Sequence, residues 1–417
     1  MNVTGSIEAP PSTHRPRQRT LAQRRARQKK YKPMMNRRLF LHRAGRGAAV
    51  IGATSWVGPS WAAEEGITAK AITIGSSLAL TGPLGAAGQE HTSAIQAAFA
   101  QINKAGGVNG RELRLVSKDD GYAAARTAEN VKQMIDDNSV AAFMSIIGTP
   151  NNAAALPMTE KAGIPVLGPI TGAASLRKAE YKSVFHIRPS YTDEVSRMVQ
   201  QLAQMGLHDI AIVYLDNPFG KEVLANMQRV LEEHKLKAVG VIPLAVDGKN
   251  AAEAVQQTLD CKAGAVFLGT AGTGTTDYVL ALRQKAAGLP MIGLSVSFTE
   301  TKRLGSALTG LAVASVFPSG NATKFAVVRN YKASLEAANL KNPNSLGLES
   351  WVNSQVMAEG IRRAGRDITR DKLRAALASI HGLELGEVVI NFTNASPYVG
   401  MTAVKMGVFA ADGILRT

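Results

Sequence analysis

Two stretches of the chain put glycines and hydroxyls where an anion could be held. Residues 77–94 read SLALTGPLGAAGQEHTSA, an apolar run followed by Gly82, Gly85 and Gly88 and then a helix-forming segment. Residues 269–277, GTAGTGTTD, repeat that form in the second half. A glycine-eased turn from strand to helix lets backbone amides meet an anion at the helix N-terminus. The spacing G-x-x-G-x-x-G differs from the dinucleotide fingerprint, and no Lys-Ser/Thr follows either loop as a P-loop requires. What remains is a small anion or carboxylate, or a tight turn without a ligand. Thr149 in IIGTPNN and Thr171 in GPITGAAS add hydroxyls at two further strand ends. Threonine and backbone N–H groups can hold a carboxylate without any full positive charge. Each threonine equally suits a helix N-cap, so it is their joint position that points to a pocket.

Groups for covalent or acid–base catalysis do not form a recognisable constellation. The seven histidines are scattered, with no pair at i, i+4, and there is no G-x-S-x-G elbow. Asp119-Asp120 read as turn and cap residues ending a strand rather than as metal ligands. Cys261 is the sole cysteine, so no intrachain disulfide can form, and its place near a helix end fits a buried, inert thiol. The expectation is no catalytic residue, no metal, no cofactor and no enzyme.

These loops need elements to position them. After residue 70, apolar segments of strand length alternate with segments of helical period, the mark of parallel βαβ construction. Strands are predicted in AITIGSSLAL, RELRLVSKD, AAFMSIIG and IPVLGPI, then in DIAIVYLD, AVGVIPL, GAVFLGT and PMIGLSV. Ile95, Ala98, Phe99 and Ile102 share one helical face, as do Val195, Met198, Val199 and Leu202. The rhythm restarts near VFHIRPSYTDE, which marks a passage between lobes. Residues 323–380 read as mostly helical, and EVVINFT and AVKMGVFAADG return to strand. Ligands of open α/β sheets bind at the C-terminal ends of the strands, where all these loops lie.

A length of 417 residues exceeds what one core usually serves, so two lobes are expected. The formal charge of +16 is uneven: residues 1–62 hold 13 of the 48 Lys and Arg and one of the 32 acids, a net +12, leaving +4 for the rest. A body at +4 without a basic-aromatic stripe gives no nucleic-acid reading. The basic block contains NRRLFLHRAGRGAAVIGATSWVGPSWA, which resembles a twin-arginine export signal, although Asn36 and His42 replace the usual Ser/Thr and Lys. Residues 35–62 are therefore read as a signal peptide, with cleavage after Ser60-Trp61-Ala62 and a mature start near Ala63. Residues 1–34 are read as a non-native or disordered extension.

Longer motifs join these features. ALTGPLGAAG, INKAGGVNGRELRLVSKDDGY (Ile102 to Tyr122), GIPVLGPITGAASLR, FHIRPSYTDE, IVYLDNPFG and GVFAADG span about residues 70–415. Together they resemble the branched-chain amino-acid-binding protein family, the type I periplasmic binding proteins of ABC importers. The resemblance implies an α/β fold of two doubly wound βα lobes joined by a three-segment hinge, with crossings near 188, 317 and 386. On that plan residues 67–187 plus 318–385 form the N-terminal lobe and residues 188–317 plus 386–417 the C-terminal lobe. It implies a periplasmic monomer that traps a small solute and docks on membrane permease subunits driven by cytoplasmic ATPases. A sensing receptor not coupled to transport is the alternative.

Carried over position by position, the resemblance places the solute carboxylate against Thr81 and Gly82, Thr149, and Thr171 with the Gly172 amide. Tyr191 would lay its ring against the ligand from the hinge side. Thr270, Ala271, Ser295 and Val296 would close it from the second lobe. Ala87 stands where a tryptophan can wall the pocket. Amino-acid binders of the family place an acid in the loop matching GLSVSF, where this chain has Ser295. A buried ammonium left unpaired costs several kcal/mol. The expected ligand is therefore a carboxylate-bearing solute, an organic or aromatic acid, with an amino acid as the remaining option.

Overall fold

The computed structural model describes residues 66–340 and 344–417; the extension, signal and cleavage site read from the sequence lie outside the described residues. The first run is β1 (Ala71–Leu78), α1 (Gly85–Lys104), β2 (Glu112–Asp119), α2 (Ala124–Asp136), β3 (Ala142–Met144), α3 (Thr149–Lys161), β4 (Val166–Leu167) and β5 (Val184–His186). The second is α4 (Tyr191–Gln204), β6 (Asp209–Leu215), α5 (Pro218–Glu233), β7 (Lys237–Leu244), α6 (Ala251–Asp260), β8 (Ala265–Gly269), α7 (Thr273–Lys285), β9 (Met291–Gly293), α8 (Thr301–Leu304) and β10 (Ala312–Ser315). The chain then forms α9 (Ala326–Ala337), α10 (Ser345–Ala364), α11 (Arg370–Ala378), the hairpin β11 (Leu383–Leu385) and β12 (Val388–Ile390), β13 (Tyr398–Val399), β14 (Lys405–Phe409) and β15 (Leu415–Arg416).

The strands gather into two sheets, in the orders β13-β5-β4-β3-β1-β2 and β15-β14-β10-β9-β8-β6-β7. The first is parallel throughout, with β1 paired to β2 from Ala71–Glu112 to Leu78–Asp119. In the second, β6 to β10 are parallel and β14 and β15 close one edge antiparallel. Helices cover both faces, and accordingly β3, β4 and β8 are buried along their whole length.

The helical faces read from the sequence are the buried ones. Ile95, Ala98 and Phe99 of α1 and Val195, Met198, Val199 and Leu202 of α4 are inside. A capping box starts α4: the Ser190 hydroxyl accepts from the Asp193 N–H, and the Asp193 carboxylate accepts from the Ser190 N–H.

The third passage between lobes falls later than 386. Ile390 and Phe392 are buried in the core of the first lobe, and β13 pairs with β5, Tyr398 stacking on Phe185 at 4.7 Å. Only after Gly400, whose N–H donates to the His186 carbonyl, does the chain cross to the second sheet. EVVINFT is apolar enough for a strand, but its pattern does not say which sheet receives it. VFH, read as part of a passage, is the buried strand β5.

One apolar cluster lies on the outer face of the first lobe, where α1, α9, α10 and α11 pack around Ile72, Phe99, Val352 and Leu377. The other runs from Phe143 and Ile170 through Leu84, Tyr191, Phe219 and Ala271 to Phe267 and Leu282. It is continuous from lobe to lobe, so the two sheets are shut against each other.

Candidate functional site

The first glycine loop already holds an anion, and that anion is the chain's own Asp119. Asp119 Oδ1 accepts from the N–H groups of Leu80 (2.8 Å), Thr81 (3.1 Å) and Gly121 (3.0 Å), and Oδ2 accepts from the Thr81 hydroxyl at 2.6 Å. Burial works against the Asp119 charge, but these hydrogen bonds outweigh it and hold the carboxyl below its ordinary range. Gly82 has φ +72, and a Cβ there would lie 2.9 Å from the Gly121 carbonyl oxygen. Thr81 and Gly82 therefore build the turn at the exposed edge and do not reach the space between the lobes. The neighbouring Asp120 accepts from Ser77, Thr127 and the Tyr122 N–H, as a turn residue should.

Between the lobes lies a cavity of about 30 Å³. Leu84, Ala87, His91, Tyr122, Ile147, Thr149, Ile170 and Tyr191 form its first-lobe and hinge walls; Phe219, Ala271, Val296, Thr299 and Leu346 close it. Among the described residues no lysine or arginine lines it. Ala87, Thr149, Tyr191, Ala271 and Val296 are thus brought together around one cavity. Thr171 stands directly behind Thr149, with 2.8 Å between their buried hydroxyls, and accepts from the Ala173 N–H. Gly172 is the seat of Tyr191: its carbonyl accepts from the Tyr191 N–H, and a Cβ on Gly172 would lie 2.8 Å from the ring. Thr270 is fully buried, its hydroxyl unpartnered among the described residues, and does not line the cavity.

Ser295 belongs to a buried charge network at the hinge. Arg188, in the first passage, donates through Nη2 to Glu194 Oε1 (3.2 Å) and to the Ser295 hydroxyl, and through Nη1 to Glu349 Oε2 (3.3 Å). Glu194 on α4 accepts from the Ser295 N–H at 2.8 Å and from its hydroxyl at 3.0 Å. Burial alone would lower the Arg188 pKa, but Glu349 and Glu194 hold it above its ordinary value. Burial pushes both carboxyls up against the pull of Arg188, Glu349 to about 7. The acid expected to be missing near Ser295 is therefore present, supplied by helices and not by the loop. It is spent on Arg188 and Ser295, so it offers no free carboxylate to the cavity between the lobes.

His91 was not singled out by the sequence, yet it lines the cavity with Nδ1 2.8 Å from the Ser350 hydroxyl. Burial and the nearby Arg188 lower its pKa to about 3, so the ring is neutral. The buried polar stripe Glu349, Ser350, Asn353 and Ser354 on α10 is the signal that could have revealed this network. Cys261 is half-buried and its thiol donates to the Thr258 carbonyl.

Polar contacts bridge the lobes around the cavity. Glu222 of α5 accepts from the Ala174 N–H at 2.6 Å and from the Ser175 hydroxyl at 2.5 Å. The Tyr122 hydroxyl faces the Asn217 side chain. Gly272, with φ +84, sits against Pro83, whose carbonyl oxygen would be 2.7 Å from a Cβ. Among the described residues no group of three His, Cys, Asp or Glu could hold a metal ion, and no helix is long and apolar enough to cross a membrane.

Residues 71–404 match the family model described as periplasmic binding protein. The chain belongs to this family. As a periplasmic binding protein it is similar to "Leu/Ile/Val-binding protein homolog 7" of Brucella suis, with 25% identity over 52% of this chain and 56% of that one. It is also similar to the chemotactic signal transduction system substrate-binding protein BasB of Halobacterium salinarum, with 30% identity over 36% of this chain and 38% of the relative. The chain thus spans about half, or less, of these relatives' length. A solved substrate-binding periplasmic protein from Ralstonia solanacearum shares the fold at a TM-score of 0.78 and 27% identity, over 82% of this chain and 99% of that one. These relatives and fold neighbours of the periplasmic binding protein are substrate-binding proteins, not enzymes.

Proposed function

We propose that the chain is an extracytoplasmic receptor, exported by the twin-arginine route, that traps a small carboxylate-bearing solute between its lobes as a monomer. It delivers this solute to the permease subunits of an ABC importer. One observation carries the reading: a small cavity between the lobes, walled mostly by apolar side chains, with the neutral hydroxyls of Thr149, Tyr191 and Thr299 in its lining and, among the described residues, no arginine or lysine. Such a lining suits an apolar body, aliphatic or aromatic, and lets hydroxyls hold its carboxylate. A cavity of about 30 Å³ has room for the centres of one or two waters, so a solute enters only when the lobes part. Closure then follows because the solute contacts both walls only when they are shut.

Calorimetry on the purified chain with benzoate, hexanoate and leucine tests the solute class. Binding of an organic acid is expected; tight leucine binding with no response to either acid would sink the reading. A sensing receptor is the second reading, supported by the likeness to a chemotactic substrate-binding protein. Deleting the gene separates the two: loss of solute uptake supports transport, and intact uptake with lost behavioural response supports sensing.

A further inference from the structure

The apolar cavity has a larger neighbour of opposite chemistry. Thr299 and Leu346 line both, so they form a shared partition. The neighbour, about 380 Å³, lies against the hinge between α1, the loop after β9, the second passage and the start of α10. Glu90, Glu349 and Lys302 line it, so with Glu194 three carboxylates stand against two cations, Arg188 and Lys302. Glu349 is 3% exposed and shares the Arg188 guanidinium with Glu194, so two buried carboxylates divide one cation. Glu90 faces Asn344, the exposed Lys302, and Tyr331. Burial raises the Glu90 carboxyl to about 7, as it does that of Glu349. In the partition itself the Thr299 hydroxyl, 6% exposed, has no hydrogen-bond partner among the described residues.

A surplus carboxylate, open volume and an unsatisfied hydroxyl describe a place for a cation that donates hydrogen bonds. An ammonium supplies both the charge and three N–H donors, one of them for Thr299. Two carboxylates fall short of the ligand set of a divalent metal. We propose that the solute carries a protonated amine remote from its carboxylate, and that this amine crosses the Thr299–Leu346 partition to sit between Glu349 and Glu90. The ligand class is then an amino acid with its charges at opposite ends of an apolar chain. An α-amino acid with an apolar side chain carries both charges at one end and cannot reach from one compartment to the other. This inference rests on reading the cleft as the site of a carboxylate solute.

The test is calorimetry on the full chain with ω-amino acids of about four to eight carbons, each against the unsubstituted acid of equal length. The best ω-amino acid is expected to bind about tenfold or more tightly than its parent acid. Glu90→Gln and Glu349→Gln should each reduce that ratio to about twofold. Should Glu349→Gln fail to fold, Glu90→Gln decides alone, since Glu90 lies outside the Arg188 network. If parent acids bind and the amine adds nothing at any length, or the ratio survives both substitutions, this inference falls and the carboxylate reading stands. If no acid of either series binds, both fall.

Discussion

Asp119 occupies the amides that a bound anion would use, and this divides the threonines into two kinds. Thr81→Ala removes a hydrogen bond to a carboxylate and is expected to lower stability by about 1 kcal/mol in urea denaturation, with solute affinity unchanged. Thr149→Val should act on binding as well: about tenfold weaker binding of a carboxylate in calorimetry, beside a loss of about 1–3 kcal/mol for the buried bond to Thr171. The buried ionisable groups also set opposing pH dependences. Glu90 and Glu349, raised from 4.5 to about 7, keep protons in the folded chain that the unfolded chain has released. Each therefore loses stability as the pH rises from 4.5 towards 7. His91 and His186, lowered from 6.5 to about 3 chiefly by burial, refuse protons that the unfolded chain takes up, so each gains stability up to pH 6.5. Between pH 4.5 and 6.5 the pairs cancel, and a nearly flat melting temperature is expected. A double variant, Glu90→Gln with Glu349→Gln, should gain stability over that window, by up to about 1.4 kcal/mol per pH unit for each uncompensated histidine. Parallel curves for parent and variant would contradict this.

Among the elements, α1 shows how tightly helix and strand are joined. A Cβ on Gly88 would lie 1.8 Å from the Ala79 carbonyl oxygen, so Gly88→Ala is expected to cost about 1–3 kcal/mol and lower the melting temperature. The sequence made the paired strand and helix legible because β1 and α1 each follow a clear apolar period. It made β13 illegible because Tyr398-Val399 is only two residues long and takes its place from the sheet edge that β5 leaves open. For the site, glycine and threonine spacing located the correct strand ends but could not show that Asp119 satisfies the first loop from 38 residues away. Nor could spacing bring Glu349 to Arg188 across 161 residues, since that meeting depends on α10 returning to the first lobe after the second is built. Local periods survive in sequence, whereas partners fixed by a long return do not.

At the scale of the molecule, the proposed trapping of a solute makes the lobes a two-state element whose closing contacts would set its equilibrium. Glu222→Ala removes the carboxylate that receives Ala174 and Ser175 across the cleft, contacts exposed enough to be worth about 1 kcal/mol together. The variant is expected to shift towards the open form, with a larger radius of gyration in small-angle scattering and roughly fivefold weaker solute binding. Unchanged scattering and affinity would show that Glu222 does not hold the lobes. Beyond such adjustable contacts stands one rigid one, where Gly272 meets the Pro83 carbonyl with no side chain between them. It acts as the end stop of a pair of jaws: hinge rotation can vary with the solute, but the bite cannot pass the point where backbone meets backbone. A single methyl group there would hold the jaws ajar along their whole length, and the shortest solutes would be the first to slip out.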